Sequence, residues 1–452
     1  MTAADQSTRT SRPSRINQSD QSDQSDRNSP CVVMVDAYAA ARSLVLEFLK
    51  QGCSVVRLQS TRDVPFVYLK APHVPDDFIA DIVHDGDVEA TAAAVAAFSP
   101  IAVISGGEIG VELADLLAQR LGLPGNGTAL STARRDKHLM IETVRAAGLR
   151  AARQLRATDA DELAAWHREL GGRVVLKPPR SAGGQGVSFC DSPEESVAAF
   201  LSLAHADDVF SQPNNGAVAQ EYLAGTEYMV NTVSRDGSHH LCDVWRTTRV
   251  SANGVVDLCD ALLLIDSGEP VVESLREYAF RVLDALGIQH GPAHVEIRMT
   301  PAGPCLVEVG ARIAGGGIPA GASLGIGESQ LEWTVDAYLH PERFHARAGN
   351  PYEVRKYCAI AGMVSPVEGV LSEYRGIEQI EVLESFHTLL TPVKPGEEIR
   401  RTVDDLTYPV IVVLLHDLEE VVQRDLNTIR HLDGTGFYAL DRGSDHRDST
   451  FD

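Results

Sequence analysis

The chain has 452 residues, 44% of them hydrophobic and 23% charged, and a formal net charge of -23. That length exceeds one hydrophobic core and fits two or three soluble globular domains, while the acidic surplus argues against nucleic-acid or anionic-membrane partners, which are held mainly by Lys and Arg. Seven cysteines, odd in number and without a CxxC pair, suggest neither a zinc site nor a disulfide framework; with no apolar run of ~18 residues and no signal core, a cytoplasmic enzyme or binding protein is expected.

Residues 1–30, with QSD repeated from Gln18 to Asp26, cannot bury enough apolar surface to fold and read as a disordered leader. At Cys31 the composition changes. CVVMVDA reads as a buried strand, residues 39–51 have helical spacing and stop before Gly52, and CSVVRL reads as a second strand. A helix over residues 88–98, the strand IAVISGG and a helix over residues 108–121 complete a parallel α/β domain, residues 31–128. Gly106, Gly107 and Gly110 follow a strand but spell neither GxGxxG nor a P-loop, so a tight turn facing a substrate cleft is expected instead of a dinucleotide site.

After GLPGNG comes a helix with Arg134, Arg135 and Lys137 near its start. In VVLKPPRSAGGQGV an apolar strand ends in Lys177 and opens a glycine-rich loop. Such a loop can turn backbone N–H groups toward phosphate oxygens beside a lysine charge; a plain hairpin with an exposed lysine is the other account. Further on, VAQEYLAGTEYMVNTVS reads as strand, turn at Gly225, strand. It is either a polar hairpin or a hinge whose backbone bonds an adenine edge while a carboxylate takes the ribose hydroxyls.

GPAHVEIRMTPAGPCLVEVGARIAGGGIP places one glutamate, Glu296 and Glu308, in each of two apolar strand-like runs. An unpaired carboxylate in a buried strand costs several kcal/mol. Either both acids face outward into solvent, or both face one cleft and share Mg²⁺, with Arg312 meeting anionic substrate. His294 and Arg298 fall on the same strand face as Glu296. His294 is a substrate contact or a structural histidine; Arg298 binds substrate carboxylate or phosphate, or simply pairs with Glu296.

Taken in order, LGLPGN followed by DK, then LKPPRSAGGQGV, EYLAGTEY, HVEIR and LVEVGARIAGG, the chain from Cys31 to His340 resembles the ATP-grasp superfamily, specifically its carboxylate-amine ligases of the L-amino acid ligase (dipeptide synthetase) type. The resemblance implies an α/β and α+β multi-domain protein, with a parallel α/β N-terminal domain before a two-lobed ATP-grasp region, residues 129–345. It implies ATP and one or two Mg²⁺ ions, with Mn²⁺ as a substitute. Lys137 and Lys177 match the contacts to the ATP phosphates, and Ser181, Gly183, Gly184, Gln185 and Gly186 the mobile lid. Glu221, Tyr222 and Leu223 match the adenine hinge, Glu227 the ribose position, Glu296 and Glu308 the metal ligands, and Arg312 the arginine at the acyl-phosphate region; Arg298 and His294, from their place on the strand, are further catalytic candidates. Gly310 stands where many relatives carry Asn. The implied reaction joins a small carboxylate to an amine, both expected to be amino acids, through an acyl phosphate that must be sequestered from water; assembly as a homodimer is compatible with it. A ligase or carboxylase acting on another intermediate, and a nucleotide-binding regulator without turnover, are the alternatives. Residues 346–440 read as a smaller α+β lobe and residues 441–452 as a disordered tail.

Overall fold

The computed structural model describes residues 29–69, 74–203, 210 and 216–441. The expected leader, through residue 28, and the expected tail, from residue 442, lie outside the described residues.

Cys31–Val35 is buried along its whole length because both of its faces are covered, as the unbroken apolar run demands. It is an inner strand of a parallel sheet in the order Ala80–Val83, Ser54–Gln59, Cys31–Val35, Ala102–Ser105. Val32 and Met34 pack with Leu44, Val45 and Phe48 of helix Ala40–Lys50. Val33 and Val35 pack on the other side with Val95, Leu113 and Leu117, from helices Val88–Ala96 and Val111–Leu121. Chain order reverses between Cys31–Val35 and Ala102–Ser105, so the loops after these strands diverge and leave a crevice at their carboxyl ends. Gly106, Gly107 and Glu108 lie there, and Glu108 opens a short 3₁₀ turn before the α-helix begins at Val111.

A second sheet, Gln154–Ala157, Ala217–Glu221, Val174–Lys177, Ser188–Cys190, is antiparallel and covered by helices Ala160–Leu170 and Pro193–Leu203. It carries the glycine loop. The third sheet has eight antiparallel strands in the order Gly303–Gly310, Gly291–Thr300, Thr226–Arg235, Ser238–Ala252, Val255–Leu264, Tyr357–Gly362, Ile411–His416, Phe386–Leu390. Its strands alternate: Val295 and Ile297 are fully buried against a core that includes Leu275, Ala279 and Val282 of helix Pro270–Ala285, while Glu296 and Arg298 face the other way. Truncating Val295 or Ile297 to Ala leaves a cavity in that core and costs about 2–4 kcal/mol.

The last three strands of this sheet come from beyond residue 345, so the expected C-terminal lobe shares a sheet with the catalytic region. Helix Glu419–Leu432 lays Val422, Leu426 and Ile429 onto that end of the sheet. A three-stranded sheet, Glu398–Ile399, Gly369–Tyr374, Tyr438–Leu440, completes the lobe.

Candidate active site

Ala217–Glu221 belongs to the sheet under the glycine loop and Thr226–Arg235 to the eight-stranded sheet, so EYLAGTEY is a crossing between two lobes and not a hairpin. Glu221 N–H donates to Arg153 O (2.9 Å) and Tyr222 N–H to Arg173 O (3.0 Å). Leu223 N–H has no partner among the described residues. A ligand edge at this crossing therefore meets one free backbone donor, beside a cavity of about 180 Å³ whose apolar wall includes Val175, Phe189, Met229, Leu258 and Val307. A flat heteroaromatic ring suits such a slot.

Deeper in the cavity Glu296 and Glu308 are direct cross-strand partners. Like charges so placed repel. Lys137, 4% exposed, ion-pairs with Glu308 at 3.0 Å and donates to Ser181 O at 2.9 Å. His294 Nε2 stands 3.4 Å from Glu296, its ring fixed by Nδ1 at 2.7 Å from Asn231 Oδ1. Burial pushes Glu308 above the usual carboxylate range, and the Glu296 charge adds to the Lys137-opposed rise. Burial acts on Glu296 too, but His294, with Arg249 and Lys137 beyond it, outweighs that and holds Glu296 low. Among the described residues the Lys177 ammonium has only Val307 O within hydrogen-bonding reach, at 3.4 Å, and burial, reinforced by Lys137, lowers its pKa to about 8. Two facing carboxylates fit a hard divalent cation that completes its shell with phosphate and water oxygens. Among the described residues no cluster of three metal-ligating side chains exists, which is against a site closed entirely by protein.

The glycine loop lies over these groups. Ser181, Ala182, Gly183 and Gly184 line the cavity, and the N–H groups of Ala182, Gly183 and Gly184 have no partner among the described residues. Gln185 and Gly186, expected with them, stand off the cavity wall: Gly186 is turned onto Pro178 and Leu203, and Gln185 Oε1 is buried without a partner. His294 is likewise behind the wall, held between Asn231 and Glu296.

Arg312 lines the cavity and reaches back to the crevice of the parallel sheet, where its Nε donates to Glu108 Oε2 at 3.0 Å. Arg135 takes the other oxygen of Glu108 at 2.7 Å. Burial opposes ionisation of Glu108, yet the two guanidinium groups hold its pKa low. This bridge also accounts for Gly310. A Cβ there would lie 3.1 Å from Glu108 Oε2 and 3.2 Å from Arg312 Cζ, so Arg312 crowds the position at which many relatives carry Asn.

Nearer the hinge, Glu227 is 4% exposed and clasped by Arg298 Nε at 2.7 Å and by Arg249. Arg298 also binds Asp257 and Gly225 O. The expected alternative for Arg298, a pair with Glu296, is not formed: its guanidinium points along the strand pair to Glu227, which lies opposite it in register. Glu108, Arg249, Asp257 and the pair Asp404–Asp405 complete the site without having been singled out in the sequence. Only Glu108 left a trace there, an acid next to glycines at the carboxyl end of a strand.

Residues 171–320 match the ATP-grasp domain family. The chain is 30% identical to dapdiamide A synthase of Enterobacter agglomerans over 91% of its own length and 98% of that protein's. It is 23% identical to an L-arginine-specific L-amino acid ligase of Bacillus subtilis, over 48% of this chain and 52% of that one. The crystal structure of L-amino acid ligase from Bacillus licheniformis superposes with a TM-score of 0.72 over 92% of this chain and 99% of that one, at 16% identity. The family match and these relatives show an ATP-dependent, ADP-forming carbon–nitrogen ligase that activates its carboxylate as an acyl phosphate. The chain belongs to the ATP-grasp family, among the carboxylate-amine ligases of the L-amino acid ligase type.

Proposed function

We propose that the chain joins the carboxylate of one amino acid to the amine of a second, releasing ADP and phosphate. The observation that carries this reading is the placement of Glu296 and Glu308 opposite each other in one cavity with Lys137 and Lys177, under a glycine loop. Its supports are the names of two relatives along the same chain, a dapdiamide synthase and an amino acid ligase.

Leu223 N–H and the carbonyl groups of the hinge take the adenine edge, and Glu227, oriented by Arg249 and Arg298, takes the ribose hydroxyls. Lys177, almost unpaired in the protein, meets the phosphates, as do the free N–H groups of the loop. Glu296 and Glu308 would hold one or two Mg²⁺ ions, or Mn²⁺ in their place, which would offset the charge of the transferring phosphoryl group. Arg312, with Glu108 behind it, receives the carboxylate that is phosphorylated, at the junction of the cleft and the parallel-sheet crevice. Positioned cations of this sort are worth ~10³ or more in phosphoryl transfer, and holding the amine beside the acyl phosphate supplies much of the second step. The substrates are small molecules. The protein works in the cytoplasm, and residues 31–128, 129–345 and 346–440 serve as substrate-side, nucleotide-side and closing lobes.

A screen of amino acid pairs with Mg²⁺ and ATP, reading ADP and product mass together, tests the reading. ADP and a dipeptide in equal amounts are expected for at least one pair. Failure to form ADP with any carboxylate would overturn it.

A further inference from the structure

The glycine loop touches the C-terminal lobe at a turn that none of the chemistry above uses. Residues 402–408 form a turn set by its own side chains. Thr407 Oγ1 accepts from the N–H groups of Val403 (3.0 Å) and Asp404 (3.1 Å), and Asp404 Oδ1 accepts from Leu406 N–H (3.1 Å). The turn is anchored from outside as well. Asn253 Nδ2, at the tip of the hairpin from Ser238–Ala252 to Val255–Leu264, donates to Thr402 O (2.9 Å) and Ser365 O (2.8 Å), and Tyr408 OH donates to Cys259 O.

Against this fixed turn lies Gly183. Its carbonyl accepts from Asp405 N–H at 3.1 Å, and a Cβ added to it would come within 3.1 Å of Leu406 Cγ. Gly183 has φ +63°, a conformation that a side chain disfavours, so both the backbone shape and the lack of a side chain suit it to that contact. Leu406 is 49% exposed, with the loop covering part of the rest. Asp404 and Asp405 also line the cavity that holds Lys177 and Glu308. On its other side the loop is tied to the parallel-sheet domain, where Arg180 makes two bonds of 3.0 Å to Glu112, and to Lys137 through Ser181 O.

We propose that residues 404–406 are the seat on which the lid closes, and that they act as positioning residues setting how long the acyl phosphate stays shielded from water. This rests on the reading of residues 181–187 as the lid over ATP. One backbone hydrogen bond and one leucine contact hold the closed state firmly enough to exclude water yet release it each turnover. With the seat weakened, the lid opens before the amine arrives. Water then adds at the acyl carbon, the carbon–oxygen bond to phosphate breaks, and the free acid and inorganic phosphate leave, so ADP is made without amide.

The test compares Leu406→Ala and Leu406→Met with the unaltered protein. Both ADP and amide are measured, and trypsin cleavage at Arg180 is followed with and without Mg·ADP. Leu406→Ala is expected to lower amide formed per ADP by roughly threefold to tenfold and to speed cleavage at Arg180 in the presence of Mg·ADP by a similar factor, while ADP formation itself changes less. Leu406→Met, which refills the contact, restores both. Unchanged coupling together with unchanged protection in Leu406→Ala would overturn the seat. Should the unaltered protein form no ADP with any carboxylate, the proposed substrates fall, and the cleavage measurement still decides the seat by itself.

Discussion

The two ends of the cleft carry similar charges and treat them in opposite ways. At the hinge end every buried charge is answered from within: Arg298 by Glu227 and Asp257, Glu227 again by Arg249. At the phosphate end two acids face each other; among the described residues Lys137 pairs with Glu308, Glu296 has His294 at 3.4 Å and no Lys or Arg in salt-bridge contact, and the Lys177 ammonium has one carbonyl at 3.4 Å. Buried charge without a close partner is costly, so an arrangement that tolerates it is one completed by a ligand. The hinge end is therefore scaffold, whose neutrality keeps Glu227 aimed. In the proposed function the phosphate end is a receptor whose balance would arrive with the metal and the triphosphate.

That contrast can be broken from either side. The largest effect is expected at the receptor end: Glu308→Ala should lower turnover by ~10³ or more at saturating Mg²⁺, and turnover that survived the change would remove Glu308 as a metal ligand. At the scaffold end Arg298→Ala should instead show in the melting curve, with a loss of about 3–5 kcal/mol, because buried Asp257 loses its close partner and Glu227 keeps only Arg249. Arg298→Lys should not restore it, since one ammonium cannot reach Glu227, Asp257 and Gly225 O together. A melting temperature equal to that of the unaltered protein would refute the scaffold account. Between the two ends, Gly310→Asn should displace Arg312 and reduce kcat/KM about tenfold, mainly through a higher KM for the carboxylate; a higher kcat/KM would mean that the space belongs to a metal ligand after all.

The smallest effect concerns protons. The folded pKa of Lys177, about 8, lies below the ordinary lysine value of 10.5, so the nucleotide-free protein loses this charge as pH rises through about 8. ADP affinity should fall severalfold between pH ~7.5 and ~9.5, with proton uptake on binding seen as buffer-dependent heat. Lys177→Arg should flatten that dependence, and an equally steep fall in it would point to another group. For stability the sign is opposite. Between about 8 and 10.5 the unfolded chain binds more protons at this position, so the contribution of Lys177 to stability rises with pH across that window.

Much of the cleft was legible because its signals are local. An apolar run ending in Lys177, a glycine-rich loop after it, and one acid in each of two apolar strand-like runs stand out from their immediate neighbours, and the parallel α/β start at Cys31 was equally plain. Glu108 and Arg312 are 204 positions apart, and neither flank announces the other. Arg249 and Asp257 are ordinary polar positions on long alternating strands, brought to Glu227 by register alone. The apolar runs CAIAGMV and PVIVVLLH announced strands, but the pattern of a strand does not say which edge it joins, so the continuity of the large sheet into the C-terminal lobe could not be read ahead of the structure.

That continuity bears on how the chain is made. Val255–Leu264 finds its outer neighbour only in Tyr357–Gly362, some ninety residues later. At ~5–20 residues per second, a nascent chain emerging from the ribosome would hold an open, apolar strand edge for roughly 5–20 s. The strands made in between, Gly291–Thr300 and Gly303–Gly310, add to the opposite edge of the sheet beyond Thr226–Arg235 and leave this edge uncovered. Cutting the chain at residue 345 would make that interval permanent, leaving the catalytic region with a bare edge open to pairing with other copies.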